Sequence, residues 1–421
     1  MNLNKKILLI CFSFPPFPGI GGRRWAKFAK HLANQGFKVY VLAAENTSDK
    51  ISEWNNDVKH ENIKVTTIPL GNSKVFSFNP ESFIDKLKYK LLSLKAFFFI
   101  KGNKQDKIYF IKNKLLLLAD ELISHEKIST LIVSMPPYKL SYYLLPLKKK
   151  YPDVSFMVDY RDPWTDNKSY HGFATISEED LKDEIVFEKE VLKAADVVFD
   201  VNLHSLQILK TKTDSKAAFI HLPNGFDEGD YRLAEGDIAA TSVVRFIYTG
   251  SFYPNLIYLL QPIINALKKI EKSNSDLYRQ ISIGFYGNMD HEAIDLLKKA
   301  NCSAITFHGN VPQTQVHDEI SKADFCLLFS APDHNHVFNT KFYEYLFFKK
   351  PILYFGKEGE TSDYILKNKV GLCFRPESAE NSFYEFLSSG KLKSTPYNTA
   401  VDISHFETNN ISKILINTIN A

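Results

Sequence analysis

The chain has 421 residues, 44% hydrophobic and 24% charged, with a formal net charge of +4. That length suits two domains, and the composition is that of a globular protein with full cores, which excludes a disordered chain. A charge so near zero also excludes a surface built for nucleic acid. Cys11, Cys302, Cys326 and Cys373 lie far apart without metal-site spacing, and three of them sit inside apolar runs. They read as reduced core residues of a cytoplasmic protein. The start resembles a secretion signal superficially, but its apolar run breaks at Phe14-Pro15-Pro16 with no small-residue cleavage site following. It is expected to be a first strand. No apolar run reaches the length of a transmembrane helix.

Lys6 to Phe12 is a continuous apolar strand of the kind buried in a parallel sheet. A loop, Pro15-Pro16-Phe17-Pro18-Gly19-Ile20-Gly21-Gly22-Arg23-Arg24, follows it, then a helix from Arg23 to Gln35 and a strand from Lys38 to Ala43. Strand, Gly-rich loop, helix and strand make a nucleotide-fold unit, although the spacing is not G-x-G-x-x-G. Two arginines at a helix N-terminus oppose its dipole unless an anion is present. Residues 84–118 hold nine lysines and two acidic residues, Asp85 and Asp106, interleaved with leucines and aromatics. Such a segment is either an amphipathic helix packed on its domain or a surface for an anionic membrane.

Strand Thr130–Ser134 ends in Met135-Pro136-Pro137-Tyr138, and strand Ser155–Val158 ends in Asp159-Tyr160-Arg161-Asp162-Pro163-Trp164. Ligands of open α/β sheets bind at the carboxyl ends of strands, and these side chains suit sugar hydroxyls and phosphate. The same residues also suit a structural Asp–Arg pair that holds the loop. A charged helix over 176–195, strand Val197–Val201, helix Leu203–Lys212 and strand Ala217–Leu222 complete a first β/α domain. Pro223-Asn224-Gly225-Phe226-Asp227 is a turn, and 226–244 a linker. The pattern restarts at Arg245. Strand Phe246–Thr249 leads to Gly250-Ser251, then come strands over 281–286, 304–308, 324–329 and 351–355, separated by helices.

The helix before the last of these strands carries Asn339, Thr340, Lys341 and Glu344. Asn339 or Thr340 can cap it, and Lys341 and Glu344 project from one side of its first turns. Amides, an ammonium and a carboxylate together can hold a sugar nucleotide; alone, Lys341 and Glu344 would be an ordinary surface pair.

In order and spacing, these pieces resemble a retaining glycosyltransferase of family 4, whose GT-B fold is two Rossmann-like α/β domains facing across a cleft. The loop D-x-R-D-P-W and the helix T-K-x-x-E-Y-L resemble a subgroup associated with bacterial surface polysaccharide synthesis. The resemblance implies an N-terminal acceptor domain over 1–225, a linker over 226–244, a sugar-nucleotide domain over 245–402, and a last helix over 403–421 crossing back to the first domain. It implies hinge closure about 223–245 and the C-terminal helix.

It further implies a nucleoside-diphosphate sugar donor with no resident cofactor or metal, and a glycan or lipid-linked acceptor, with the protein in the cytoplasm or at the inner membrane face. Donor contacts would come from Gly21, Gly22, Arg23, Gly250, Ser251, Asn339, Thr340, Lys341 and Glu344. Acceptor contacts would come from Asp159, Trp164, Pro137 and Tyr138. Lys341, Arg161 and Asp162 would serve the chemistry. Glu344 matches the second glutamate of the family's E-x7-E motif; the first falls at His336, with Asp333 nearby as a substitute. No Arg or Lys lies between Phe246 and Ala266, where the family grips the diphosphate. A histidine is also missing from Tyr160-Arg161-Asp162, where many members carry one. The alternatives are a non-catalytic nucleotide-sugar-binding scaffold and a sugar-nucleotide epimerase on the same fold.

Overall fold

A computed structural model describes residues 5–76, 82–167, 171–231, 242–331, 337–390, 392 and 396–421. The chain divides into two compact domains. One holds residues 1–223 and 411–421, the other 224–410. The first is built on seven parallel strands: β1 (Lys6–Cys11), β2 (Lys38–Ala44), β3 (Ile63–Ile68), β4 (Thr130–Met135), β5 (Ser155–Tyr160), β6 (Val197–Asp200) and β7 (Ala218–His221). Their order across the sheet is β3-β2-β1-β4-β5-β6-β7.

The central strands are largely apolar because helices cover both faces of a parallel sheet. Side chains alternate between faces. Leu8 and Ile10 therefore enter one core with Leu131, Val133, Phe156 and Val158, while Ile7 and Leu9 enter another with Trp25, Phe28 and Val39. The last helix, Thr408–Asn420, inserts Ile411, Leu415 and Ile419 into that second core, and the Lys5 ammonium donates to the Ile419 carbonyl at 2.7 Å. The expected crossing helix begins at Thr408; a short 3-10 turn, Ser404–Phe406, precedes it.

The second domain has six parallel strands: β8 (Val244–Thr249), β9 (Ile281–Tyr286), β10 (Ile305–Gly309), β11 (Phe325–Phe329), β12 (Ile352–Phe355) and β13 (Gly371–Phe374). Their order, β10-β9-β8-β11-β12-β13, repeats the first six positions of the first sheet. In both sheets the strand order reverses after the domain's first strand, beside β1 and β4 in one and β8 and β11 in the other. Such switch points are where open α/β sheets leave a crevice for ligands. Most of the linker expected over 226–244 lies outside the described residues.

Residues 84–118 form no single element. A helix, Phe83–Phe99, is capped by Ser82, whose hydroxyl accepts from the Asp85 amide at 3.0 Å; a turn region follows, and a second helix starts at Lys112. No described helix is long and apolar enough to cross a membrane.

Candidate functional site

At the carboxyl end of β8 the chain must turn sharply. Gly250 has φ +99° and Gly287, at the end of neighbouring β9, has φ +121°. A Cβ on Gly287 would lie 2.9 Å from the Gly250 Cα, so both positions need glycine for conformation and for close approach. The Gly250 amide donates to the Tyr286 carbonyl at 2.7 Å, and the Tyr248 hydroxyl donates to the Ser251 carbonyl at 2.7 Å. The turn is therefore fixed on both sides, and Gly250 stays exposed.

Over this turn lies the helix Thr340–Phe347. Asn339 caps it, its Oδ1 accepting from the Phe342 amide at 3.0 Å. Phe342, Tyr345 and Leu346 are buried, and Phe338 stacks on Phe342 with ring centroids 4.4 Å apart. This apolar face sets the rotation of the helix and so aims its polar residues. The Lys341 ammonium lies 5.3 Å from the Tyr248 ring centroid, and a Cβ on Gly250 would come within 2.8 Å of its Nζ. No described residue accepts a hydrogen bond or forms an ion pair with it. Burial pushes its pKa down, with the Glu344 charge only partly opposing that shift.

Glu344 is held one turn further on. Its Oε2 accepts from the Thr249 hydroxyl at 3.4 Å, and its Oε1 lies 3.4 Å from Nε2 of the buried His317. The Tyr345 hydroxyl accepts from the Thr249 amide at 3.1 Å and pins the helix to the end of β8. The structure thus brings together Gly250, Ser251, Asn339, Lys341 and Glu344, with Thr340 exposed at the first helical position. Asp333 and His336 lie outside the described residues.

In the first domain the expected site residues gather at the ends of β1, β4 and β5, but several serve as supports. Asp159 is fully buried. Its carboxylate accepts from Arg24 Nη2 at 2.9 Å and Nε at 3.3 Å, from Trp25 Nε1 at 2.7 Å and from the Ser134 hydroxyl at 3.2 Å. Four donors occupy the oxygens that an acceptor hydroxyl would need. Arg24 also donates to the Leu222 and Pro223 carbonyls, at 2.7 and 2.8 Å. Trp164 is equally buried: its Nε1 donates to Glu184 at 2.6 Å, and its indole stacks on Tyr138 with centroids 5.6 Å apart. The Tyr138 hydroxyl in turn donates to the Pro163 carbonyl at 2.6 Å.

Arg161 is a strap between loops. It donates to the carbonyls of Met135 and Pro136, each at 3.0 Å, and to that of Gly21. That bond places Gly21 and Gly22 beside the end of β1, where a Cβ on Gly22 would lie 3.3 Å from the Phe14 Cα. Arg23 is buried at the start of its helix, while Pro137 and Asp162 are half-buried. His317 and Tyr248 were not among the site residues expected from the sequence. Neither carries a local signal, since His317 belongs to a separate helix, Gln313–Lys322, and Tyr248 reads as a core residue.

No family model matches the chain, and no curated protein does. Solved structures match it from end to end. Sucrose-phosphate synthase from Thermosynechococcus elongatus superposes with a TM-score of 0.67 at 14% identity, covering 99% of this chain and 98% of that one. An E. coli protein described as trehalose-6-phosphate, bound with UDP-2-fluoro glucose, gives 0.63 at 11% identity, with 99% of both chains covered. The lipopolysaccharide outer core galactosyltransferase WaaB, in apo form, gives 0.57 at 12% identity, again over 99% of both. The chain therefore has the GT-B fold of two Rossmann-like domains that these proteins share.

Proposed function

We propose that the protein is a glycosyltransferase that takes a nucleoside-diphosphate sugar in its second domain. One observation carries the reading: a desolvated ammonium, Lys341, has no hydrogen-bond or ion-pair partner among the described residues and lies over an exposed glycine turn, beside the Glu344 carboxylate. A cation kept partly out of water destabilises the fold unless a counter-charge arrives. A diphosphate supplies it, accepting from Lys341 and from the amides of the turn and the helix start. Glu344 is then placed to accept from ribose hydroxyls. Nucleotide sugars are also what the fold neighbour's bound UDP-2-fluoro glucose represents.

The reaction we infer is transfer with retention. The bond between the anomeric carbon and the diphosphate oxygen breaks, and a bond to an acceptor oxygen forms on the same face. The acceptor proton passes to the departing diphosphate, whose charge Lys341 and the helix dipole stabilise. This scheme calls for no resident metal or cofactor. The acceptor we propose is a glycan or lipid-linked sugar of cell-surface polysaccharide synthesis.

The test is a thermal-shift screen against UDP, GDP, ADP, TDP and CMP with and without magnesium, followed by donor turnover. One diphosphate should stabilise the protein independently of magnesium, and its sugar conjugate should be hydrolysed slowly or transferred. Isomerised donor would indicate an epimerase instead. Binding with neither reaction would indicate a scaffold, a reading favoured by the absence of Arg and Lys between Phe246 and Ala266.

A further inference from the structure

The helix Phe83–Phe99 is built inside out for a protein surface. At 100° per residue, Phe83, Leu94, Leu87, Phe98, Leu91 and Ile84 fall, in that order, within one arc of about 100°. They are 82, 51, 52, 74, 55 and 63% exposed. The opposite side, with Leu92 and Ala96, is the buried one. Lys86 and Lys90 border the apolar stripe on one side, and Lys88 and Lys95 on the other; all four are exposed. A helix that only had to cover its domain would point its apolar stripe inward and its lysines outward. Here a second apolar stripe faces out between two rows of ammonium groups. Six large apolar side chains in one contiguous exposed stripe mark an interaction surface.

We infer that this helix docks in the plane of an anionic lipid bilayer. The stripe would enter the boundary between headgroups and acyl chains. The lysine stems would lie along its edges, with their ammonium groups reaching lipid phosphates. Charge favours lipid over a second copy of the chain, because a two-fold pairing of this face would set the lysine rows of one copy near those of the other. The docking needs neither nucleotide nor acceptor, so it stands apart from the donor site.

Sedimentation of the full chain with phosphatidylcholine vesicles, with and without phosphatidylglycerol, tests the inference. The protein should bind the anionic vesicles and be released by high salt. Exchanging Leu87, Leu91 and Leu94 together for serine should weaken binding more than about tenfold with the melting temperature unchanged. If that variant misfolds, the lysines give a second test, since all four are exposed. Exchanging Lys86, Lys88, Lys90 and Lys95 for glutamine should cost about fivefold per lysine. Vesicle binding that is absent, or indifferent to both sets, would overturn the inference. So would a dimer in sedimentation equilibrium that the serine variant converts to monomer, since a second copy would then cover the stripe.

Discussion

Replacing Lys341 by methionine separates a ligand-binding role from a structural one, because the two predict opposite signs. Methionine keeps most of the stem that packs near Tyr248 and Gly250 and removes the charge. The ammonium is desolvated, with its pKa lowered chiefly by burial, so in the free protein its removal should leave stability unchanged or raise it. In the complex the variant lacks one charge-assisted hydrogen bond to phosphate, worth about 1.5–3 kcal/mol, or roughly 10- to 150-fold in Kd. At a nucleoside diphosphate concentration of about 100 times the wild-type Kd, the ligand adds about 2.7 kcal/mol. A hundredfold weaker variant at the same concentration keeps only about 0.4 kcal/mol by the same relation. For a domain of this size that is a melting shift of about 5–10 °C falling to about 1 °C. Differential scanning fluorimetry with and without the nucleotide reads both quantities, with the exposed Lys367→Met as a control. A variant that melts lower on its own yet keeps the full ligand shift would refute the reasoning, for Lys341 would then be a packing residue.

Glu344→Ala should weaken a nucleoside diphosphate by about tenfold or more while leaving inorganic pyrophosphate unaffected, since its assigned contact is the ribose; isothermal titration with both ligands decides this. Asp159→Asn removes the charge facing the buried Arg24 guanidinium and should cost the first domain about 3–5 kcal/mol. Urea unfolding reads it, and a loss below about 1 kcal/mol would mean that Asp159 is not the support its four donors suggest. Burial raises the Asp200 carboxyl to about 7, against opposing hydrogen bonds from Ser205 and the Asn202 amide. A carboxyl raised above its unfolded value takes up a proton on folding. Its contribution is thus complete below about pH 4 and fades as pH rises towards 7. Asp200→Asn should flatten that part of the stability profile and cost less at pH 8 than at pH 5.

The central strands were legible because each is a short apolar run ended by a turn, and the regularity of a parallel sheet leaves little room to misplace them. The edges were not. β3 carries Lys64, Thr66 and Thr67 and so makes no apolar run, and β13 is a short strand that opens on Gly371. The second domain's candidate site was legible in large part, since Gly250, the Asn339 cap, Lys341 and Glu344 are local signals. The orientation of side chains in the D-x-R-D-P-W loop was not. A carboxylate, an arginine and a tryptophan at a strand end look the same in sequence whether they face a ligand or the core. Here the distant Arg24 and Glu184 decide, by claiming Asp159 and Trp164 respectively.

The helix that seats Ile411, Leu415 and Ile419 beside Ile7 and Leu9 makes the first domain discontinuous, with the whole second domain threaded into it. During synthesis residues 224–410 are contiguous and can reach their native state as they emerge. The first 223 residues must wait with part of one face of their sheet uncovered until residues 411–421 have been made. A product that stops before residue 411 would therefore pair a foldable second unit with a first unit that lacks Ile411, Leu415 and Ile419 from its core. Dissection has to follow the same logic: the second domain can be excised as one piece, whereas the first is whole only when 1–223 is rejoined to 411–421.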